Sequence, residues 1–423
     1  MKKVLSFANL TLYGIGMIVG AGIYSVIGKA AGVAEETLGL SFLLAGGAAF
    51  LTALSYAELS SMFPKAGAEY IYLKNIFPSL PILSFVCGSM MVVAGVCTAA
   101  TVATAFSGYV QETLKFSFVG LSFVVLLLFS LLNIWGLKES SRINAVFTMI
   151  EVCGLVLFIL MGVRSENFGQ NLSFTPESKT FSGAAMIIFA YFGFENIVNF
   201  AEETRDPQKQ LPRAIFLSVT VAGVLYILVS LSALALMNPA ELAQSEGPLG
   251  AALQKTSMQA AYIVGGIAIF STSNTVLISI LSTSRIVFSM ARENDLPALF
   301  KKQTKNKETP WVASLLVLTL ASLMLPAGGI AVIASVSSFA TMLAFSIVNL
   351  ALIHLRFTEP ERDRPFRVPG HIGRMPIAPL LAFLTSLGLI FFFQKQVYFV
   401  GGALIGLILL FYFIRTKRNF PKS

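Results

Sequence analysis

The dominant feature of this sequence is a series of long apolar stretches that recurs along all 423 residues. A helix needs about 20 mainly apolar residues to cross the roughly 30 Å hydrocarbon core of a bilayer. By that criterion the chain is an all-α integral membrane protein with about twelve transmembrane helices. The predicted spans are 7–31, 38–62, 81–110, 118–136, 143–163, 182–203, 212–237, 258–291, 311–327, 329–355, 376–393 and 397–414.

The composition excludes several classes of protein. Hydrophobic residues make up 56% of the chain and charged residues 12%, whereas soluble domains carry about 25% charged residues. A soluble enzyme, a disordered chain and a nucleic-acid-binding protein are excluded, although the net charge is +9. The few cysteines and histidines have no disulfide or metal-ligand spacing, so we expect no metal, no other cofactor and no catalytic residues. They are Cys87, Cys97, Cys153, His354 and His371.

The distribution of Lys and Arg predicts the orientation. With an even number of spans, 24 of the 30 Lys and Arg residues fall on the side of the N-terminus and 6 on the other. Cytoplasmic loops carry the excess of positive charge in membrane proteins. We therefore expect a multi-pass protein of the plasma or inner membrane with both termini in the cytoplasm. The count depends on the turn at 326–329, because without it the C-terminus would change sides.

The first span is rich in glycine at the depth of the membrane centre. Gly14, Gly16, Gly20 and Gly22 fall within nine residues, and each glycine costs about 1 kcal/mol relative to alanine inside a helix. One interpretation is that the helix opens at residues 20–22, and its freed backbone groups must then face protein, water or a ligand. The alternative is close helix packing through the Gly-x-x-x-Gly pair Gly16 and Gly20.

The sixth span favours the first interpretation. Residues 189–195, FAYFGFE, place one glycine and one acidic residue among aromatic residues in the second half of the span. Interrupted segments at corresponding places in two halves of a transporter indicate its binding site. Spans 1–5 and 6–10 would form two inverted repeats, 1–170 and 171–357, followed by the last two spans in 358–423. These three parts would form one transporter domain.

Helix ends explain what such breaks can bind. The half-helix that begins at a break exposes N–H groups with roughly half a positive charge, which suit a carboxylate. The half-helix that ends there exposes carbonyl groups, which suit an ammonium group. An α-amino acid carries both groups a few ångström apart. Two broken helices could therefore hold an amino acid without a charged side chain.

Five motifs in order resemble the amino acid–polyamine–organocation transporter superfamily over nearly the whole chain. The similarity is to the basic amino acid/polyamine antiporter or cationic-amino-acid-transporter branch. It implies a LeuT-like fold, with helices 1 and 6 interrupted, and alternating access. The motifs are GIGMIVGAGI at 14–23, YAEL at 56–59 with PKAGAEY at 64–70, FAYFGFE at 189–195 with residues 201–207, RENDLP at 292–297 and RPFRVP at 364–369.

The resemblance also implies which groups contact the substrate. The carboxylate should meet N–H groups around Ala21, Gly22 and Ile23, just after Gly20. The ammonium should meet the carbonyl groups of residues on both broken helices, with Gly193 at the second break. Those residues are Ile18, Phe189 and Phe192. Ala21 departs from the family pattern, where Ser or Thr is frequent, so a hydroxyl contact is lost there while the backbone site remains.

Two acidic residues within spans are candidates for ion coupling or gating, because a charge inside a bilayer is costly. Glu151 stands where several members of the superfamily have a lysine that is thought to replace a sodium ion. It would carry a proton, bind a cation, pair with Arg285 or make a structural hydrogen bond. Glu195 follows the second break and would be a gate, a proton site or a cap of the half-helix. Glu58 and Glu69 are expected at the membrane interface.

The sequence therefore predicts a secondary active transporter of amino acids that works by proton-coupled symport or by exchange. Sodium coupling is not excluded. An amine or polyamine antiporter is the alternative within transport, and a membrane-embedded nutrient sensor is the alternative outside it. The expected partners are a small amino acid or amine and the lipid bilayer, with no nucleic acid, in a monomer or homodimer.

Overall fold

The computed structural model of the protein describes residues 5–20, 22–65, 67–135, 141–170, 173, 175–304, 309–327 and 329–419. Most of these residues are helical. The α-helices are α1 Phe7–Val19, α2 Gly22–Ala34, α3 Leu38–Met62, α4 Ala68–Ile76, α5 Pro81–Leu114, α6 Leu121–Trp135, α7 Ser141–Val163, α8 Ser178–Ile187, α9 Pro207–Leu236, α10 Pro239–Gln244, α11 Pro248–Gln254, α12 Met258–Arg292, α13 Trp311–Met324, α14 Ile330–Thr358, α15 Ile377–Ile390 and α16 Lys395–Asn419. Short 3₁₀ helices cover Glu35–Thr37, Ile188–Tyr191, Phe194–Glu203, Ala298–Lys301 and Leu325–Ala327.

The apolar helices confirm a multi-pass membrane protein. Among the described residues, eight helical segments are long and apolar enough to cross a membrane, and three shorter apolar helices accompany them. The first of the eight segments, Phe7–Met62, contains two predicted spans. The turn near residue 326 separates α13 from α14 as the sequence predicts, because the 3₁₀ helix Leu325–Ala327 ends there and α14 begins at Ile330.

Small residues bring the helices together. A Cβ atom on Gly95 of α5 would lie 1.9 Å from Oγ1 of Thr283 on α12, and one on Gly14 of α1 would lie 2.4 Å from Oγ of Ser218 on α9. Such contacts leave no room for a side chain. Transmembrane helices pack in this way because the lipid supplies no hydrophobic driving force between them.

The structure adds elements that the apolar pattern did not predict. Helix α4 lies in the predicted loop between spans 2 and 3, and α10 and α11 lie between spans 7 and 8. One short hairpin accompanies the helices, where β1 His371–Ile372 and β2 Met375–Pro376 pair in antiparallel fashion. Gly370 and Gly373 have φ of 78° and 59° there, a conformation that glycine adopts at low cost and that reverses the chain.

The segment after α14 is anchored to α3 by a buried ion-pair cluster. Glu58 on α3 is fully buried and contacts Arg356 Nη2 at 2.5 Å and Arg364 Nε at 3.1 Å. Its carboxylate also accepts a hydrogen bond from the Val368 N–H at 2.8 Å. Glu58 is buried because the RPFRVP segment folds over the end of α3 and covers it.

Candidate functional site

The first predicted break is present between α1 and α2. Helix α1 ends at Val19, and Gly20 leaves the helical conformation with φ −38° and ψ −103°. The next described helix begins at Gly22, while Ala21 lies outside the described residues. A Cβ atom on Gly22 would lie 2.6 Å from the Cα and O atoms of Ala190. Glycine is needed here because the backbones of the two broken segments touch.

The second predicted break lies at Phe192 and Gly193. The 3₁₀ helix Ile188–Tyr191 ends at Phe192, which is extended with ψ 148°, and Gly193 has φ +127°. That φ favours glycine, and a Cβ atom on Gly193 would lie 2.8 Å from the backbone C and O atoms of Met17. The chain then resumes as the 3₁₀ helix Phe194–Glu203. Each break therefore packs a glycine against the backbone of the other broken segment.

Tyr226 on α9 joins the two broken segments. Its hydroxyl lies 2.5 Å from the carbonyl oxygen of Ile18 and 3.0 Å from that of Ala190. Ser271 on α12 donates to the carbonyl oxygen of Gly20 at 2.5 Å. Since carbonyl groups at a helix end have lost their helical partners, these buried hydroxyl groups compensate part of the cost of the break.

Glu195 caps the second break. Its two carboxylate oxygens lie 3.0 Å and 2.9 Å from the Gly193 N–H, and Asn196 Nδ2 lies 3.0 Å from one of them. The side chain is 5% exposed, and it also lines the cavity described next. Glu195 therefore binds the N–H group of the residue that precedes the 3₁₀ helix, and it is placed where it can also act on a bound solute.

A cavity of about 70 Å³ lies at the two breaks. A cavity holds a water molecule from about 10–15 Å³, so this one has room for a small solute. It combines the broken segments with faces of α5 and α12 and with Thr341 of α14. The lining residues are Met17, Gly22, Met91, Ala94, Gly95, Thr98, Val102, Phe189, Phe192, Gly193, Glu195, Asn196, Thr275, Ile278, Ser279, Ser282, Thr283, Ile286 and Thr341.

The cavity brings together five of the residues selected from the sequence and leaves the others outside its lining. Gly22, Phe189, Phe192, Gly193 and Glu195 line it. The other selected residues that the structure describes are buried, and the carbonyl groups of Ile18 and Gly20 accept from the hydroxyl groups described above. These buried residues are Ile18, Gly20, Ile23 and Glu151.

Glu151 on α7 is fully buried. Its carboxyl group is close enough to Tyr24 and Tyr226 to act on them electrostatically. Arg285, which the sequence offered as a partner, is exposed on α12. Glu151 is therefore buried outside the cavity lining, within electrostatic range of the tyrosine that joins the breaks.

The hydroxyl groups of the cavity wall were only partly visible in the sequence. Thr275, Ser279, Ser282 and Thr283 of α12 and Thr341 of α14 supply hydroxyl groups to this wall. Thr98 of α5 also lines the wall, and its Oγ1 lies 3.0 Å from Oγ of Ser337 on α14. For the α12 residues, the signal in the sequence is the recurrence of hydroxyl side chains along one span. Polar contacts between packed helices produce the same pattern.

One side of the breaks is covered by α10 and α11. Lys29 on α2 donates to the carbonyl oxygen of Ala243 at 2.7 Å, and a Cβ atom on Gly28 would lie 2.5 Å from the carbonyl oxygen of Leu242. The cavity extends away from α10 and α11, since its lining reaches Ile286 in the last third of α12 and Met91 in the first third of α5. Helix α4, which precedes α5, lies on that side.

Comparison with known proteins gives consistent matches over the whole chain. A sequence model of a family described as amino acid permease matches residues 5–414. The branched-chain amino acid permease BcaP of Bacillus subtilis (strain 168) is 29% identical, with 98% of this chain and 94% of that protein covered. The methylthioribose transporter of the same organism is 30% identical, with 99% and 94% covered. Cationic amino acid transporter 4, vacuolar, of Arabidopsis thaliana is 29% identical, with 85% and 64% covered.

Proposed function

The chain belongs to the amino acid permease family, and from that premise we propose that it carries amino acids across the membrane by alternating access as a secondary active transporter. The family and the matched relatives are transporters and not enzymes. The observation that carries the proposal is the pair of helix breaks packed against each other at one cavity.

The broken segments supply groups of both signs to the cavity. Gly22 and Ile23 open α2, and the first N–H groups of a helix have no intrahelical partner and attract a carboxylate. Phe189 and Phe192 stand at the second break, where a carbonyl group can accept from an ammonium. We assign the carboxylate of the substrate to the N–H groups of Gly22 and Ile23 and its ammonium to the carbonyl groups at the second break.

The cavity wall favours a small neutral side chain. Among the described residues, Glu195 is the one charged group that lines the cavity, and its oxygens already accept from Gly193 and Asn196. The remaining wall consists of apolar groups, hydroxyl groups and the Asn196 amide. A diamine needs a second acceptor for its second charge, so this wall supports an amino acid better than a polyamine.

The proposed architecture has twelve spans in two inverted repeats of five, followed by two further helices. Its support is the position of the two breaks. One lies between α1 and α2, which form the first span of the first set, and the other lies between α8 and Glu203, in the first span of the second set. Splitting Phe7–Met62 into two spans and adding the three shorter apolar helices to the other seven segments also brings the count to twelve. The repeats would be 1–170 and 171–357.

Coupling is assigned to protons or to exchange, with Glu195 at the cavity and Glu151 buried outside its lining. A carboxyl group in a membrane interior is costly when charged and can instead carry a proton. Sodium coupling and a cation at Glu151 are the alternatives. The location proposed is the plasma or inner membrane with cytoplasmic termini, which rests on the charge distribution.

Reconstitution into liposomes tests these assignments together. Uptake of leucine, valine, lysine and putrescine is measured with a pH gradient, a sodium gradient or internal amino acid. We expect saturable uptake of leucine or valine that a proton gradient or internal substrate accelerates. Binding without flux would support a sensor instead, and preferential uptake of putrescine would contradict the assignment of an amino acid substrate.

The Glu151→Gln variant tests the coupling role, with Glu166→Gln as its control. Glu166 is exposed in the connection that follows α7. We expect Glu151→Gln to express normally but to transport more slowly or without response to the pH gradient, and Glu166→Gln to behave as the wild type. An unchanged response to the pH gradient in Glu151→Gln would remove Glu151 from the coupling mechanism.

A further inference from the structure

A second buried carboxyl group, Glu69, lies outside the cavity on the side to which the cavity extends. It stands in the first turn of α4, two residues after Gly67 with φ +103°, and is 4% exposed. It is buried because α4 packs against α5, α14 and the 3₁₀ helix that follows the second break.

Tyr56 on α3 connects Glu69 with the second break. Its hydroxyl donates to Oε1 of Glu69 at 2.7 Å. The Tyr56 ring contacts the ring of Phe194 edge-on, with 5.4 Å between the centroids, and Phe194 directly precedes Glu195. Glu69 and Glu195 are also close enough to act on each other electrostatically. When two buried carboxyl groups interact in this way, a state in which both are charged is disfavoured.

The surroundings of Glu69 contain acids and neutral groups. Helix α3 contributes Tyr56, α5 contributes Cys87, α4 itself contributes Tyr72, and the helix after the break contributes Glu195. Among the described residues, no cation contributes to the pKa shift of Glu69. This holds also for His354 and Arg356 of α14, the helix that packs against α4. Lys74 on α4 is paired with Glu293, and Lys65 is exposed.

Burial raises the pKa of Glu69 from 4.5 to about 7, although the hydrogen bond from Tyr56 acts in the opposite direction. Glu69 would therefore gain and lose a proton near neutral pH.

We propose that Glu69 is a second proton-binding site of the transporter and that it shares one proton with Glu195. When a proton leaves one carboxyl group and binds the other, the pair keeps a single negative charge, and no other reactant is required. Glu69 is the member on the side of α4, and Glu195 is the member at the cavity. The inference rests on the transport function proposed above and adds to it a site from which the proton reaches the cavity.

The pH profile of amino acid exchange tests this site. Exchange is measured in liposomes with the same pH on both sides, from about pH 5.5 to 8.5, so that neither a gradient nor the orientation of the protein affects the result. We expect the wild-type rate to change with a midpoint near pH 7. Glu69→Gln removes the negative charge that repels a charged Glu195, so its midpoint should shift to lower pH by about one unit.

Tyr56→Phe gives the opposite shift and controls for structural effects. It removes a hydrogen bond that stabilises the charged carboxylate, so the pair should hold its proton more tightly and the midpoint should rise by about one pH unit. Glu293→Gln, an exposed acid near α4, should leave the midpoint unchanged. A role in packing alone does not move two midpoints in opposite directions.

Three results would overturn the inference. The first is a wild-type exchange rate that does not change with pH. The second is a midpoint of Glu69→Gln equal to that of the wild type, and the third is a shift of both variants in the same direction. If Glu69→Gln does not fold, Tyr56→Phe decides alone, because it keeps both carboxyl groups. A wild-type protein that exchanges no amino acid contradicts the proposed function, whereas normal exchange with unchanged midpoints contradicts this inference alone.

Discussion

At the residue scale, the absence of side chains at two positions creates the site. Gly22 lies against the backbone of Ala190, and Gly193 lies against the backbone of Met17. Backbone atoms cannot rotate away as the end of a flexible side chain can. A methyl group at either position must therefore push the two broken segments apart, and the effect on transport should exceed that of an ordinary change of packing.

Gly22→Ala tests this with Gly47→Ala as its control. A Cβ atom on Gly47, in α3, has no neighbour within 4 Å. We expect Gly22→Ala to reduce amino acid uptake at least tenfold and to destabilise the protein by about 1–3 kcal/mol through overpacking. Gly47→Ala should transport amino acids as the wild type does. Its thermal unfolding temperature should be unchanged or higher, because alanine favours a helix more than glycine does. Wild-type uptake by Gly22→Ala would show that the contact is not needed.

The sequence predicted the breaks more closely than the cavity walls. Glycine density and a lone Gly193 are local signals, and both helices end within a residue or two of the predicted places. The lining of α5 and α12 was not predictable in the same way, because a long apolar helix has no local feature that says which face meets a cavity. The burial of Glu58 and Glu69 was not predictable for a related reason, since segments distant in the sequence cover them.

At the element scale, one side chain holds the two broken helices in register. Tyr226 donates its single proton between two carbonyl oxygens, at Ile18 on the first broken segment and Ala190 on the second. Its ring packs against Tyr191 and Phe42, so the hydroxyl is held in place. The position of one break relative to the other is therefore set from α9.

Tyr226→Phe should weaken this register. Two buried carbonyl groups lose their shared donor, which costs about 1–3 kcal/mol. We expect the KM for the amino acid to rise about tenfold. Tyr191→Phe is the matched control, because its hydroxyl donates to the carbonyl oxygen of Phe42 at 2.9 Å and its ring is equally buried. Both variants should unfold at lower temperature in detergent. Equal effects of the two on KM would argue against a specific role of Tyr226 in the register.

At the scale of the whole molecule, the charges and the helices give independent constraints on topology. The apolar helices indicate where the chain crosses the membrane, and the positive-inside rule predicts from Lys and Arg which side each connection faces. Lys209 lies at the start of α9, and Lys255 lies after α11 in the connection between α9 and α12. Because 24 of 30 Lys and Arg residues share the side of Lys209, that side should be the cytoplasm.

Cysteine labelling tests this topology in cells. Single cysteines replace Lys209 or Lys255 in a variant that lacks Cys87, Cys97 and Cys153, and both lysines are exposed. A membrane-impermeant maleimide should label Lys255→Cys in intact cells and Lys209→Cys only after permeabilisation, because α9 alone separates the two positions as a span. The reverse pattern would invert the proposed orientation. Labelling of both in intact cells would mean that α9 does not cross the membrane, which would also end the division of the chain into two sets of five helices.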